Sequence, residues 1–312
     1  MAEELKTVLI TGGTDGLGKA TAILLAEQGY RVFATGRNAE RRAALDALAR
    51  ERSLPLETLE MDVGDDGSVD RAVSEIERRA GGVDALVNAA GIAVMATMEE
   101  ITQRDLHLQL ETNFFGVVRV TQRVLPGMRQ RRRGRILNIS SISGIRAFPL
   151  FGPYSSSKFA LEAISDAMRL ELLPFGVHVV VIQPGFIPSG MEKASVGLSS
   201  QYTHGAPASP YAGLYRNFLE LWKKTTRKRA GKTYQPIDFA RVILRALRDT
   251  PPKARYPVTR TAHVLRIARR LMTDRMFDRQ TIRQLKIDRL RPGETLDPAE
   301  AQAALAELKR RE

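Results

Sequence analysis

Residues 7–18 read TVLITGGTDGLG: Thr7–Thr11 is a short β-rich run, and Thr11-Gly12-Gly13-Thr14-Asp15-Gly16-Leu17-Gly18 turns from it into the helical pattern Lys19–Gln28. A glycine-rich turn between a strand and a helix suits a phosphate. Glycine lets the backbone turn tightly and come close to a pyrophosphate, whose charge the helix N-terminus favours. Its place after the first strand separates this turn from an ordinary one. Thr11, Gly12, Thr14, Asp15, Gly16, Leu17 and Gly18 are therefore expected to hold a dinucleotide.

The pattern repeats outward from there. Arg31–Thr35, Leu56–Met61, Ala85–Asn88, Arg135–Ser140 and Val177–Gln183 read as strands, and Glu40–Glu51, Ser68–Ala80, Leu106–Met128 and Ser155–Leu173 as helices between them. Such alternation builds a parallel sheet from βαβ units. The strands are continuously apolar, as helices on both faces require. The fold class is α/β, a single-domain Rossmann-type doubly wound parallel sheet.

Beyond Pro184-Gly185 the rhythm changes. Residues 190–235 are rich in Ser, Gly, Pro and Tyr, with a short amphipathic piece near Tyr215–Trp222, and read as a substrate lid. Ile237–Arg248 is a helix and Arg255–Val258 a last strand. His263–Arg291 is a basic amphipathic helical stretch, and Asp297 with Pro298 starts a final helix. The expected division is a catalytic domain over 1–260 and a basic helical extension over 261–312.

Charge is distributed unevenly. Residues 1–189 hold 22 Lys+Arg and 23 Asp+Glu, whereas 190–312 hold 26 and 12, so the net +13 belongs to the last part. A one-sided excess points to an anionic surface as a partner of that part. The run Arg129–Arg135 (RQRRRGR) is read as a solvated helix end, and nucleic acid is not expected. With no cysteine there is no disulfide and no thiolate chemistry. His107, His178, His204 and His263 lack ligand spacing with Asp or Glu, so no catalytic metal is expected. Met1–Lys6 fits no signal peptide and no apolar run reaches about 18 residues. A cytoplasmic location, peripheral to a membrane if the tail docks there, is the expectation.

The end of the second strand bears on the cofactor. An acid there would bond a ribose 2′-hydroxyl and repel a 2′-phosphate, but the sequence is Thr35-Gly36-Arg37-Asn38. Arg37 can pair with a 2′-phosphate, which favours NADP(H) over NAD(H). Asp15 in the glycine turn argues the other way. Asp62-Val63 offers a carboxylate for an adenine amino group, and Asn88-Ala89-Ala90-Gly91 gives small residues where a cofactor must lie close.

Tyr154 and Lys158 lie four apart at a helix start and share one face. A free tyrosine is a poor base at neutral pH, and a cation beside it favours the phenolate. The pair becomes specific in context. Gly12, Asn88, Asn113, Ser141, Tyr154, Lys158 and Pro184-Gly185, in this order and spacing, resemble the short-chain dehydrogenase/reductase family over about residues 5–190. The resemblance implies a seven-stranded parallel sheet and a hydride exchange between a nicotinamide cofactor and a secondary alcohol or ketone. In it, Tyr154 is the general acid/base and Lys158 bonds the nicotinamide ribose. Ser141 polarises the substrate oxygen, and Asn113 helps hold a water that links Lys158 to solvent. Pro184, Gly185, Ile187 and Ser189 complete the cofactor site, Ser189 standing where the family has a Thr. Ala89 departs from the family's second Asn.

The stretch 134–173 and Lys253–Val258 look closest to the steroid and retinol dehydrogenase branch, which implies a large apolar substrate. Phe148 and Phe186 beside Ser141 and Tyr154 would touch it, and Tyr202, Tyr211, Tyr215, Phe218 and Trp222 lie in the lid. The branch also implies a homodimer or tetramer, through the helices at 106–128 and 155–173. A cofactor-binding regulator without turnover, or an epimerase, would share the fold. The apolar face of 263–291, flanked by arginines, fits either packing on the lid or a membrane interface. Packing is the commoner use of such a face.

Overall fold

The computed structural model describes residues 6–188, 195, 198, 199, 201, 202, 209–228 (222–228 as backbone) and 234–290. Strands β1 (Thr7–Thr11), β2 (Arg31–Gly36), β3 (Leu56–Glu60), β4 (Ala85–Asn88), β5 (Gly134–Ile139), β6 (Val177–Gln183) and β7 (Arg255–Pro257) form one sheet. Their order is β3-β2-β1-β4-β5-β6-β7, every pair parallel. The chain winds outward in both directions from β1 and β4, so the strand ends open a crevice between these two.

Successive side chains of β1 feed opposite cores. Val8 and Ile10 pack with Ala22 and Leu25 of α1 (Gly16–Glu27) and with Leu45 of α2 (Ala39–Glu51). Leu9 and Phe33 pack with Val73 and Ile76 of α3 (Asp66–Ala80). Each fully buried aliphatic side chain here contributes about 1.5–3 kcal/mol. Short polar side chains start the helices. Asn38 accepts from the Arg41 amide at 2.8 Å and Asp65 from the Ser68 amide at 2.6 Å.

The helix expected over Leu106–Met128 is interrupted. It comprises α4 (Gln103–Leu110), a π-helical turn at Glu111–Phe115, and α5 (Gly116–Gln130), whose Val120 and Val124 complete the second core. Next come α6 (Gly152–Glu171), α7 (Ala212–Lys228) and α8 (Pro236–Arg248), the last placing Phe239 and Ile243 in the first core. The short amphipathic piece read near 215–222 is thus a 17-residue helix. The basic stretch read as one helix is two, α9 (Arg260–Leu271) and α10 (Asp274–Leu285). Thr273 is extended and caps the start of α10, which breaks the run. The final helix at Asp297 lies outside the described residues.

The arginine run at the end of α5 is not simply a solvated face. Arg133 pairs with Asp84 at 3.1 Å, and Arg135 is buried, its Nη1 donating to the carbonyls of Ala246, Leu247 and Asp249. These carbonyls end α8 and would otherwise lack donors. Arg135 lies in β5, as the strand read over Arg135–Ser140 requires, but its side chain is buried and not solvated.

Candidate active site

A cavity of about 640 Å³ lies along the C-terminal ends of the strands. At one end are the glycine turn and the loop after β2. At the other are Ser141, Tyr154, Lys158 and a group of aromatic side chains.

The glycine end is shaped by close backbone contact. Gly12 has φ +63°, and a methyl group on it would sit 2.8 Å from the Ala90 Cα. One on Gly18 would lie 2.2 Å from the Gly12 carbonyl oxygen. Only glycine fits either position. Thr14, Asp15, Gly16, Leu17 and Gly18 line the cavity at the start of α1, whose N-terminus faces it. Asp15 accepts from the Gly16 amide at 2.9 Å, and Arg41 meets its carboxylate at 2.6 Å. That ion pair sets a cation beside the Asp15 carboxylate. Arg37 reaches Asp62 only at 3.5 Å and is largely exposed, so its guanidinium is available to another anion. Asp62, Val63, Ala89 and Gly91 line the same end. These features fit a dinucleotide.

Thr11 and Asn88 do not line the cavity. The Thr11 hydroxyl accepts from the Ala89 and Ala90 amides at 3.1 Å each, and the Asn88 amide donates to Asn138 at 2.9 Å and to Thr121 at 3.2 Å. Both hold its wall from behind. Ser189 lies outside the described residues.

At the other end, the Lys158 ammonium donates to the Ile139 carbonyl at 2.8 Å and sits 5.6 Å from the Tyr154 ring centroid. Both residues are buried. Burial pulls the Lys158 pKa down to about 8, against the opposing pull of Glu162. Ser141 accepts from the Ser143 amide at 3.0 Å, which leaves its own hydroxyl hydrogen to donate. Phe148, Phe151, Phe186 and Phe218 line the cavity beyond, and Pro184, Gly185 and Ile187 its side. Tyr202 and Tyr215 are buried, and with Tyr211 they donate to Asp105, Glu100 and Glu99. Those three tyrosines tie their stretch of chain to the body, and among the described side chains of 190–235 Phe218 is the aromatic that lines the cavity. Trp222 and His204 are outside the described side chains.

Asn113 sits in the π-turn, fully buried. Its Oδ1 accepts from the Ile92 amide at 2.9 Å, and its Nδ2 donates to the Ile92 carbonyl at 2.9 Å and to Ser157 at 3.2 Å. Ser157 in turn donates to the Tyr154 carbonyl at 2.7 Å. The Asn113 side chain therefore fixes the loop after β4 and the turn bearing Tyr154. Gln109, one helical turn earlier, holds the same loop through Val94 and Ile92 at 2.8 Å each. The reading missed Gln109, although the four-residue spacing from Asn113 places them on one face. It also missed Arg41, and it missed Thr281, Gln284 and Leu285 of α10, which line the aromatic end. Arg146 holds α10 there, donating to the Phe277 carbonyl at 2.6 Å and to Thr281.

A short-chain dehydrogenase model matches residues 6–197. The chain belongs to the short-chain dehydrogenase family. It is an NAD(P)-dependent oxidoreductase of the branch that includes steroid and retinol dehydrogenases. A 3-ketodihydrosphingosine reductase of Bacteroides thetaiotaomicron is 42% identical over 183 residues, 59% of this chain and 64% of that protein. The NADPH-dependent 3-dehydrocapnine reductase of Ornithobacterium rhinotracheale is 32% identical over 90% of this chain and 98% of its own length. Human 17-beta-hydroxysteroid dehydrogenase type 1 is 33% identical over 81% and 77%. A solved actinorhodin polyketide ketoreductase variant with NADPH superposes at a TM-score of 0.70, with 28% identity, over 83% of this chain and 97% of that one.

The buried Lys158 makes stability depend on pH. Below about pH 8 the ammonium is charged in the folded and the unfolded chain, and its burial penalty is fully present. Between about 8 and the ordinary value of 10.5 the folded chain has released a proton that the unfolded chain still carries, so folding gains. The stability of the wild type relative to Lys158→Met should therefore rise between pH 8 and 10, by up to about 1.4 kcal/mol per pH unit. Denaturant unfolding of both proteins across that range measures it. A constant or falling difference would show that the lysine is not depressed.

Proposed function

We propose that the cavity reduces the ketone of a large apolar substrate with NADPH, and that Tyr154 supplies the proton. The observation that carries this reading is the burial of Tyr154 with the Lys158 cation, in one cavity with Ser141 and the glycine turn. NADPH, when bound, supplies the hydride that goes to the carbonyl carbon. Arg37 and Arg41, which line the cavity at the glycine end, would hold its 2′-phosphate, and the N-terminus of α1 would favour its pyrophosphate. The Ser141 hydroxyl donates to the carbonyl oxygen and holds it against Tyr154. The phenol gives that oxygen its proton as negative charge develops there, which completes the alcohol. Lys158, fixed by the Ile139 carbonyl, favours the phenolate left behind. Asn113 and Ser157 position the turn that carries Tyr154. The aromatic wall supports an apolar substrate, and two relatives are named as reductases, one of them NADPH-dependent.

Tyr154→Phe keeps the ring and loses the proton. Turnover in an NADPH-oxidation assay over a panel of steroid, retinoid and fatty ketones should fall by about 10²-fold or more, with NADPH affinity by fluorescence little changed. Retention of most of the activity would remove Tyr154 from the chemistry.

Arg37→Ala should weaken NADPH binding by roughly tenfold or more, the loss of a charged hydrogen bond, and barely alter NADH. Equal effects on the two cofactors, or a parent enzyme that prefers NADH, would contradict the phosphate role.

The enzyme self-associates through α4–α5 and α6 in the same proposal. Leu108 and Phe115 on the first of these and Phe159 and Leu170 on the second are large, apolar and exposed. Light scattering at micromolar concentration should give at least a dimer, and Phe115→Asp with Phe159→Asp should shift it toward monomer. A monomeric wild type is the contrary result.

A further inference from the structure

Helix α9 has one well-buried residue, Ala262, and turns three of its six apolar side chains outward. Val264, Ile267 and Leu271 are 65%, 61% and 78% exposed. At 3.6 residues per turn they fall within about 60° of one another. Met276 at the start of α10 is also exposed, at 48%. The face expected over 263–291 is thus divided: Phe277 and Leu285 are buried, while the stripe on α9 faces away from the body.

The charge around the stripe is predominantly positive. Residues 260–290 contain nine Lys or Arg and three Asp. Among the described residues Arg269 pairs with Asp274, whereas Arg260, Arg270, Arg275 and Arg279 form no ion pair. Each choice of partner must match both features. Nucleic acid would match the arginines and leave the apolar stripe wet. A second copy of the same face would bring arginine against arginine. An anionic bilayer surface takes both, with aliphatic side chains among the acyl chains and guanidinium groups on the head groups. No helix among the described residues is long and apolar enough to cross a membrane, so contact through α9 is peripheral.

We propose that α9 is a docking surface for anionic lipid bilayers, with Val264, Ile267 and Leu271 inserted and Arg260 and Arg270 on the lipid phosphates. Thr261 of α9 and Thr281, Gln284 and Leu285 of α10 line the substrate end of the cavity. Docking therefore brings the helices that wall the cavity to the lipid surface. The proposal stands apart from the substrate reading, because vesicle binding requires no turnover.

The test is co-sedimentation of the full chain with vesicles of equimolar phosphatidylglycerol and phosphatidylcholine, and with phosphatidylcholine alone. The expected result is binding to the anionic vesicles at low salt, at least about tenfold stronger than to the neutral ones and weakening as salt rises. The combined Val264→Ser, Ile267→Ser and Leu271→Ser variant should lose about tenfold or more of that binding. Its unfolding temperature, molecular mass and NADPH turnover of a water-soluble ketone should be unchanged. Arg260→Glu with Arg270→Glu, which leaves the apolar stripe intact, should also reduce binding. Absence of binding to anionic vesicles at low salt overturns the proposal, as does binding that both variants retain. A serine variant that fails to fold or melts earlier shows that the chain itself covers the stripe. One with a changed mass shows a second copy there. Either result also overturns it.

Discussion

The Thr11 hydroxyl accepts two consecutive amides, Ala89 and Ala90, and so ties the ends of β1 and β4 where the strand order reverses. The cavity depends on this junction. The reversal opens the crevice, and the tie brings the loop after β4 against the glycine turn so closely that position 12 has no room for a side chain. Asn113 and Gln109 then bind the continuation of that loop through Ile92 and Val94. One polar chain runs from the glycine turn to the turn bearing Tyr154, and apart from Gln109 its side-chain links are the short Thr11, Asn113 and Ser157. Such a chain holds the turn bearing Tyr154 in one position relative to the glycine turn.

Lys158 shows the opposing pressure. A buried ammonium is unfavourable, and the fall of its pKa to about 8 expresses that. The hydrogen bond to Ile139 and the field of Glu162 offset part of the penalty. Glu162 is itself held by Gln183 at 2.8 Å and Arg255 at 3.0 Å, and Arg255 also pairs with Asp166. The last strand thus supports the site electrostatically at a distance. Folding stability is given up to keep an amine inside the cavity wall.

Most of the frame was legible from local pattern, because each βαβ unit carries its own signals. The strand over Val177–Gln183 and the glycine turn at 11–18 follow from apolar runs and turn residues alone. The π-turn at Glu111–Phe115 did not, since one inserted residue moves the helical phase by only about 100° and leaves an apolar pattern readable as a continuous helix. Tyr154 and Lys158 stood out by their four-residue spacing and Ser141 through the family resemblance, and the structure places all three on the cavity wall. Arg41 was hidden by Arg37: both are loop or first-turn arginines, and only the fold reveals that Arg41 neutralises Asp15. The contribution of α10 was invisible for a different reason. Its approach to the cavity rests on Arg146, more than a hundred residues away, stacking against Phe277. Arg135 was misread because a charge run has no period from which burial could be inferred.

The walls of the cavity come from different stretches of chain. The wall bearing Ser141, Tyr154 and the glycine turn lies within residues 6–197, where the family pattern is concentrated, whereas Phe218 and the α10 residues come from beyond it. Mutation can therefore alter the second set without altering the segment that carries the family pattern. A lineage, or an engineer, could exchange the C-terminal helices and leave the wall bearing the glycine turn, Ser141, Tyr154 and Lys158 as it is. Among the described residues α10 is held by Arg146, by the Asn217 side chain that donates to the Leu285 carbonyl at 2.8 Å, and by the burial of Phe277 and Leu285, so these positions would have to co-vary for such an exchange to hold.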